Sequence, residues 1–162
     1  MRLLPTLALL LLAGGGAARA QAGCPPPVLK VVLDSQEVPA TGAAFAPKVT
    51  LAVGPDPACA EGGNYRFREA EVTLLRGRRP VLSTLLVHRP EIDLKYLTGI
   101  AQPGDRIHVF VSYKNLFVVA ADGRLRPYLR PELSPGQQTG VGNALLTDEA
   151  RGISFNWRLV QK

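Results

Sequence analysis

The chain has 162 residues, of which 46% are hydrophobic and 20% charged, with a formal net charge of +6 and two cysteines. This composition excludes a disordered or collagen-like chain, and the length suits one hydrophobic core rather than several domains. If Arg2 and Arg19 leave with a leader, the net charge falls to about +4, a balance that in an exported protein concerns solubility or acidic surfaces rather than nucleic acid.

Residues 1–22 read as a secretory signal peptide. Arg2 supplies the positive start, Leu3–Ala13 the apolar core, and Ala18-Arg19-Ala20 a small-x-small cleavage site, with Ala20-Gln21-Ala22 a second. The apolar run is too short to cross ~30 Å of hydrocarbon as a helix, and three glycines follow it directly. Cleavage is therefore preferred over an uncleaved anchor, and no later segment is apolar enough to span. The mature chain, residues 24–162, is expected to be one exported domain.

Cys24 follows Gln21-Ala22-Gly23, which resembles the end of a bacterial lipoprotein signal. The usual leucine three positions before the cysteine is Gln21 here, and the apolar core ends well upstream. A disulfide between Cys24 and Cys59 is the preferred reading, because an oxidising compartment pairs the only two cysteines of an exported chain. It would tie Pro25-Pro26-Pro27 to the Pro/Gly-rich loop around Cys59. Membrane attachment is expected only if Cys24 is lipidated instead.

The mature sequence reads almost wholly as strands. Val28–Leu33 is apolar on both faces apart from Lys30, as in a sheet interior. Asp34–Ala46 reads as a loop with Pro39 and Gly42. Lys48–Val53 alternates, with Val49, Leu51 and Val53 inward, and Gly54–Asn64 is a turn-rich loop. Glu69–Arg76 sets Val72 and Leu74 against Glu71, Thr73 and Leu75. A turn at Arg76-Gly77-Arg78-Arg79 leads to a second strand, Val81–His88. Pro90–Thr98 reads as a bridge, with at most one helical turn over Glu91–Leu97. Pro103-Gly104-Asp105 turns the chain into Arg106–Tyr113, where Ile107, Val109, Val111 and Tyr113 share a face and Phe110 is the exception.

Asp122-Gly123 is a hairpin signal between Phe117–Ala121 and Leu125–Tyr128. Arg130–Gly152 reads as a long polar loop and a candidate contact segment. Ile153–Gln161 closes the chain with Ile153, Phe155, Trp157 and Leu159 on one face, which places Trp157 in the core. Seven or eight short strands with frequent turns predict an all-β, antiparallel sandwich, immunoglobulin-like in the broad sense.

Catalytic signatures are missing. The sequence has no G-x-S-x-G, no H-E-x-x-H and no Gly-rich phosphate loop. His88 and His108, its two histidines, would need help from Glu91 or Asp93 to hold a metal, and strand positions explain both. Glu69, Glu71, Glu91, Asp93, Asp105 and Asp122 flank turns or point out of strands, so solvation accounts for them better than paired acid–base chemistry. Arg76, Arg78 and Arg79 read as a solvated hairpin tip. Tyr65, Phe67, Tyr96, Tyr113 and Tyr128 read as scattered core or rim positions. No enzyme activity, cofactor or metal is expected.

The stretch from Glu71 to Val111 carries a strand with Val72, Leu74 and Arg76, a glycine–basic turn at Gly77 and Arg78, then Ile92, Asp93, Leu94 and Leu97. Pro103 to Ile107 follow, leading into an alternating strand. This pattern, strongest over 69–113, resembles the C-terminal domain of GldM, the gliding-motility and type IX secretion protein of Bacteroidetes. The final strand, Ile153–Val160, is similar to that domain's closing strand. The resemblance implies a periplasmic interaction module that meets other envelope proteins, with a homodimer as a further option. The cleavable signal departs from the family, whose members carry a membrane anchor and upstream stalk domains.

The residues have physical reasons of their own. Gly77 and Gly104 permit turns that side chains resist, Pro103 fixes its turn, and Asp93 can accept backbone N–H bonds. Leu94 and Leu97, three apart, are placed to cover one end of the core. The reading is an exported, non-catalytic interaction domain of the periplasm or cell exterior, associated with a gliding or secretion machine. The alternatives are an immunoglobulin-like domain binding polysaccharide or another ligand, and a surface lipoprotein anchored at Cys24.

Overall fold

The computed structural model describes residues 24–39, 41–59, 63–130 and 151–161. The expected signal peptide and most of the Arg130–Gly152 segment lie outside them.

Among the described residues twelve strands run in chain order: β1 (Val28–Leu33), β2 (Gln36–Glu37), β3 (Lys48–Gly54), β4 (Asn64–Phe67), β5 (Ala70–Arg76), β6 (Arg79–Pro80), β7 (Leu85–Val87), β8 (Glu91–Asp93), β9 (Arg106–Ser112), β10 (Leu116–Val119), β11 (Leu125–Pro127) and β12 (Gly152–Arg158). Single 3₁₀ turns occupy Lys95–Leu97 and Tyr113–Asn115. The strands form three antiparallel sheets, ordered β2-β1-β3-β8, β11-β10-β4 and β12-β9-β5-β6, with β7 also paired to β5.

Alternation decides which faces are covered. Leu29 and Val31 of β1, Val49 and Leu51 of β3 and Ile92 of β8 point one way. They join Val72 and Leu74 of β5, Ile107, Val109 and Val111 of β9, and Trp157 of β12 in one core. Trp157 is fully buried, its ring stacked on Phe45 at 6.4 Å and its indole N–H donating to the Ala43 carbonyl at 3.1 Å. That bond matters because a buried indole donor without a partner would cost free energy. Leu94 and Leu97, each 1% exposed, close one end as expected.

The all-β, antiparallel expectation holds, whereas the strand count exceeds the seven or eight anticipated. Part of the excess comes from turn chemistry. Asp34-Ser35 adopts positive φ at both positions (47° and 67°), a tight hairpin that pairs Leu33 with Gln36 and turns part of the anticipated loop into β2.

Of the proposed strand over Val81–His88 only Leu85–Val87 (β7) is a strand, and the short β6 precedes it at Arg79–Pro80. Leu75 pairs with Pro80, but three residues back on β5 Val72 pairs with Leu85, so the returning chain carries two extra residues. Pro80 supplies no ladder donor, and Thr84 folds back to share a 2.8 Å hydrogen bond with Thr73. Thr73 is consequently buried rather than outward-facing. The Pro90–Thr98 bridge also hides a strand: Ile92 is buried between exposed Glu91 and Asp93, and the three pair with Lys48–Thr50 of β3.

Candidate functional site

At one pole two of the turns singled out in the sequence, around Arg76 and around Asp105, meet. The Arg76 guanidinium donates to both Asp105 carboxylate oxygens at 2.9 Å and to the Ile100 carbonyl at 3.0 Å. The Gln102 amide N–H donates to Asp105 Oδ2 at 2.9 Å. The Asp105 side chain is 4% exposed and that of Arg76 47%. The Arg76 hydrogen bond holds the Asp105 carboxyl below the usual carboxylate range, outweighing the opposing effect of burial, and the same bond raises Arg76. Arg76 is thus a latch between two turns and not part of a solvated tip, while Arg78 and Arg79 are exposed.

The two turns held together are the Gly77 turn, whose carbonyl accepts from Arg106 Nη2 at 2.8 Å, and Gln102-Pro103-Gly104-Asp105. In the latter, Asp105 N–H donates to the Gln102 carbonyl at 3.0 Å and Gly104 takes φ 92°. Proline followed by a positive-φ glycine is the pattern of a type II turn. Asp93 accepts the Lys95 N–H at 2.9 Å, which starts the 3₁₀ turn carrying buried Leu97. This pole is engaged in holding itself together.

The opposite side is built differently. Cys24 and Cys59 form a disulfide with Cα atoms 5.4 Å apart, tying the start of β1 to the loop after β3. Beyond that loop β4 pairs with β10, and no ladder joins β4 to β3. Arg68 N–H donates to the Asn115 carbonyl, so alternation directs the backbone groups of Arg66 towards β10 and those of Tyr65 and Phe67 to the opposite edge of β4. On β3, Leu51 N–H donates to the Pro90 carbonyl, and Val53, two residues on, is the next to face that side, past the end of β8.

Between them lies a groove of about 560 Å³ lined by Val53, Tyr65, Arg66, Phe67, His88 and Pro90 among others, with no acidic residue among the described lining. Beside it, Glu69 Oε2 lies 3.8 Å from His88 Nδ1.

Tyr65, Tyr113 and Tyr128 are brought together under the small sheet, in contrast to the scatter expected from the sequence. Tyr128 meets Tyr65 edge-on at 6.1 Å and Tyr113 at 5.4 Å, and the Arg130 guanidinium lies 5.6 Å from the Tyr113 ring. Burial, then the neighbouring Tyr113 and Tyr65 hydroxyls, push the Tyr128 phenol up to about 12. Their sequence spacing hides this. Tyr65 and Tyr128 come together because β4 and β11 flank β10, an order that depends on the Asp122-Gly123 hairpin.

No protein family, curated protein or solved structure matches this chain. Weight therefore rests on the geometry. His88 is 64% exposed, and His108 Nδ1 lies 3.1 Å from Asn156 Oδ1. Among the described residues no three His, Cys, Asp or Glu side chains gather as a metal site would require. A second open groove of about 590 Å³ on the outer face of β1-β3-β8 holds Asp34, Lys48, Glu91 and Asp93. Asp122 is occupied in its own turn, accepting the Arg124 N–H at 3.0 Å.

Proposed function

We propose that this chain is an exported, non-catalytic binding domain, immunoglobulin-like in architecture, whose partner is another protein of the cell envelope. The observation that carries the reading is the groove between β3 and β4, where backbone groups of two strands face an opening flanked by aromatic and basic side chains. Strand edges of this kind are docking surfaces for extended protein segments, because they offer main-chain hydrogen bonds that any peptide can complete.

Two further features support it. The disulfide suits an oxidising, extracytoplasmic compartment. With β2, β4, β10 and β11 taken as additions, the remaining strands order as β1-β3-β8 and β12-β9-β5, with β6 and β7 beyond β5. That order, likened to the A-B-E and G-F-C arrangement of an immunoglobulin-type sandwich, supports the immunoglobulin-like reading. The GldM resemblance adds a class of partner, a component of a gliding or secretion machine. The residues behind that resemblance serve the latch and the turns, so it supports the fold more directly than the interface.

The alternatives fit less well. A thioether lipid needs the Cys24 sulfur, which the disulfide occupies. A polysaccharide platform needs open aromatic faces, and Tyr65, Tyr113 and Tyr128 pack on one another.

The reading is tested by isolating the chain from its native envelope without reductant and sizing it. A defined complex with one envelope protein is the expected result. A chain that migrates alone and is retained on isolated cell-wall polysaccharide would overturn it.

A further inference from the structure

The groove also indicates what kind of segment it takes, an inference that rests on the binding-domain reading above. We infer that its occupant is an extended peptide segment carrying acidic side chains.

Charge selects the occupant. Among the described residues the groove lining contributes Arg66 and His88 and no carboxylate. Arg68 and Arg89 stand at its margins, beside β4 and between His88 and Pro90, and both are exposed or half-exposed. Arg68 is held there by the Phe117 ring, whose centroid is 5.1 Å from its guanidinium. A cation resting on an aromatic face keeps its charge and its outward N–H groups. Glu69 faces His88 and receives the Asn115 side-chain amide at 3.3 Å. A carboxylate-bearing ligand therefore meets the guanidinium groups of Arg66, Arg68 and Arg89, whereas a basic one meets repulsion.

Backbone chemistry selects a peptide over other polyanions. Val53 on one wall and Tyr65 and Phe67 on the other turn main-chain donors and acceptors towards the opening. An extended chain satisfies both kinds at once, with side chains alternating between the Tyr65–Phe67–Pro90 surface and the arginines. An acidic sugar polymer supplies the charge but not the alternating donor–acceptor pattern.

The test is fluorescence anisotropy with the intact, disulfide-bonded protein and labelled eight-residue peptides alternating valine with glutamate or with lysine. Binding of the glutamate peptide alone is expected, weakened about tenfold, or ~1.4 kcal/mol, by Arg66→Glu, and reduced by salt. Methylating the peptide's backbone nitrogens should also abolish it. Arg79→Glu, far from the groove, controls for loss of overall charge and should change nothing.

Equal binding of both peptides, or insensitivity to Arg66→Glu, would overturn the inference, as would tighter binding of an oligouronate. If the envelope complex forms and survives Arg66→Glu, the binding-domain reading stands and this account of its groove fails. If the glutamate peptide binds as expected but no envelope complex forms, the reverse holds.

Discussion

Asp105 joins two turns through one carboxylate, and its removal should be felt across the whole pole. Asp105→Asn keeps the shape but loses the charge-assisted pair with Arg76, an expected loss of roughly 1–3 kcal/mol in urea unfolding. The pH dependence has a definite sign. The folded-state pKa of Asp105 is depressed, so the stability it contributes is complete above the unfolded carboxylate pKa, about 4. It is lost as pH falls through the lower folded value. Wild-type and Asp105→Asn stabilities should therefore converge as pH drops below about 4, and a gap that stays constant into strong acid would contradict the latch. Glycines offer a second contrast. Gly42 has φ 103° and a Cβ there would strike the Arg158 carbonyl, whereas Gly77 has φ 63° in open space. Alanine should cost about 1 kcal/mol at Gly77 and clearly more at Gly42, measured by the same unfolding curves.

Among the elements, the disulfide is the strongest restraint at the groove end. It closes a separation of 35 residues, worth ~3–4 kcal/mol in the chain-entropy account. Reduction, or Cys59→Ser, should lower the denaturant midpoint accordingly, and an unchanged midpoint would mean the bridge constrains nothing. At this scale the sequence was most and least legible. β1, β3, β5, β9 and β12 announce themselves through alternation or apolar runs, because each lays a long face on the core. β8 is three residues long with one buried side chain, Ile92, too short for a period to register. The two-residue excess between β6 and β7 and the positive-φ Asp34-Ser35 turn arise from local backbone accommodation that no hydrophobic pattern reports. The pole with Asp93, Leu94, Pro103, Gly104 and Asp105 was legible because turn residues carry their own chemistry. The groove was not, since it depends on β4 lying beside β3 without pairing.

For the molecule as a whole, the structure separates two tasks. One pole spends its charges internally, through Arg76, Asp105 and Arg106. The other leaves Arg66, Arg68 and Arg89 around a groove whose described lining has no acidic residue, while Asp34, Glu91 and Asp93 gather with Lys48 on the outer face of β1-β3-β8. Such an uneven charge distribution steers an acidic partner towards one side and away from the other. Site-specific photo-cross-linking in the native envelope tests the claim most directly, with the reactive residue placed at His88 in one variant and at Asp93 in another. Adducts to one envelope protein from His88, and none from Asp93, are the predicted result. Adducts from Asp93 with none from His88 would show that the chain binds through its acidic face and that the groove between β3 and β4 is not its interface.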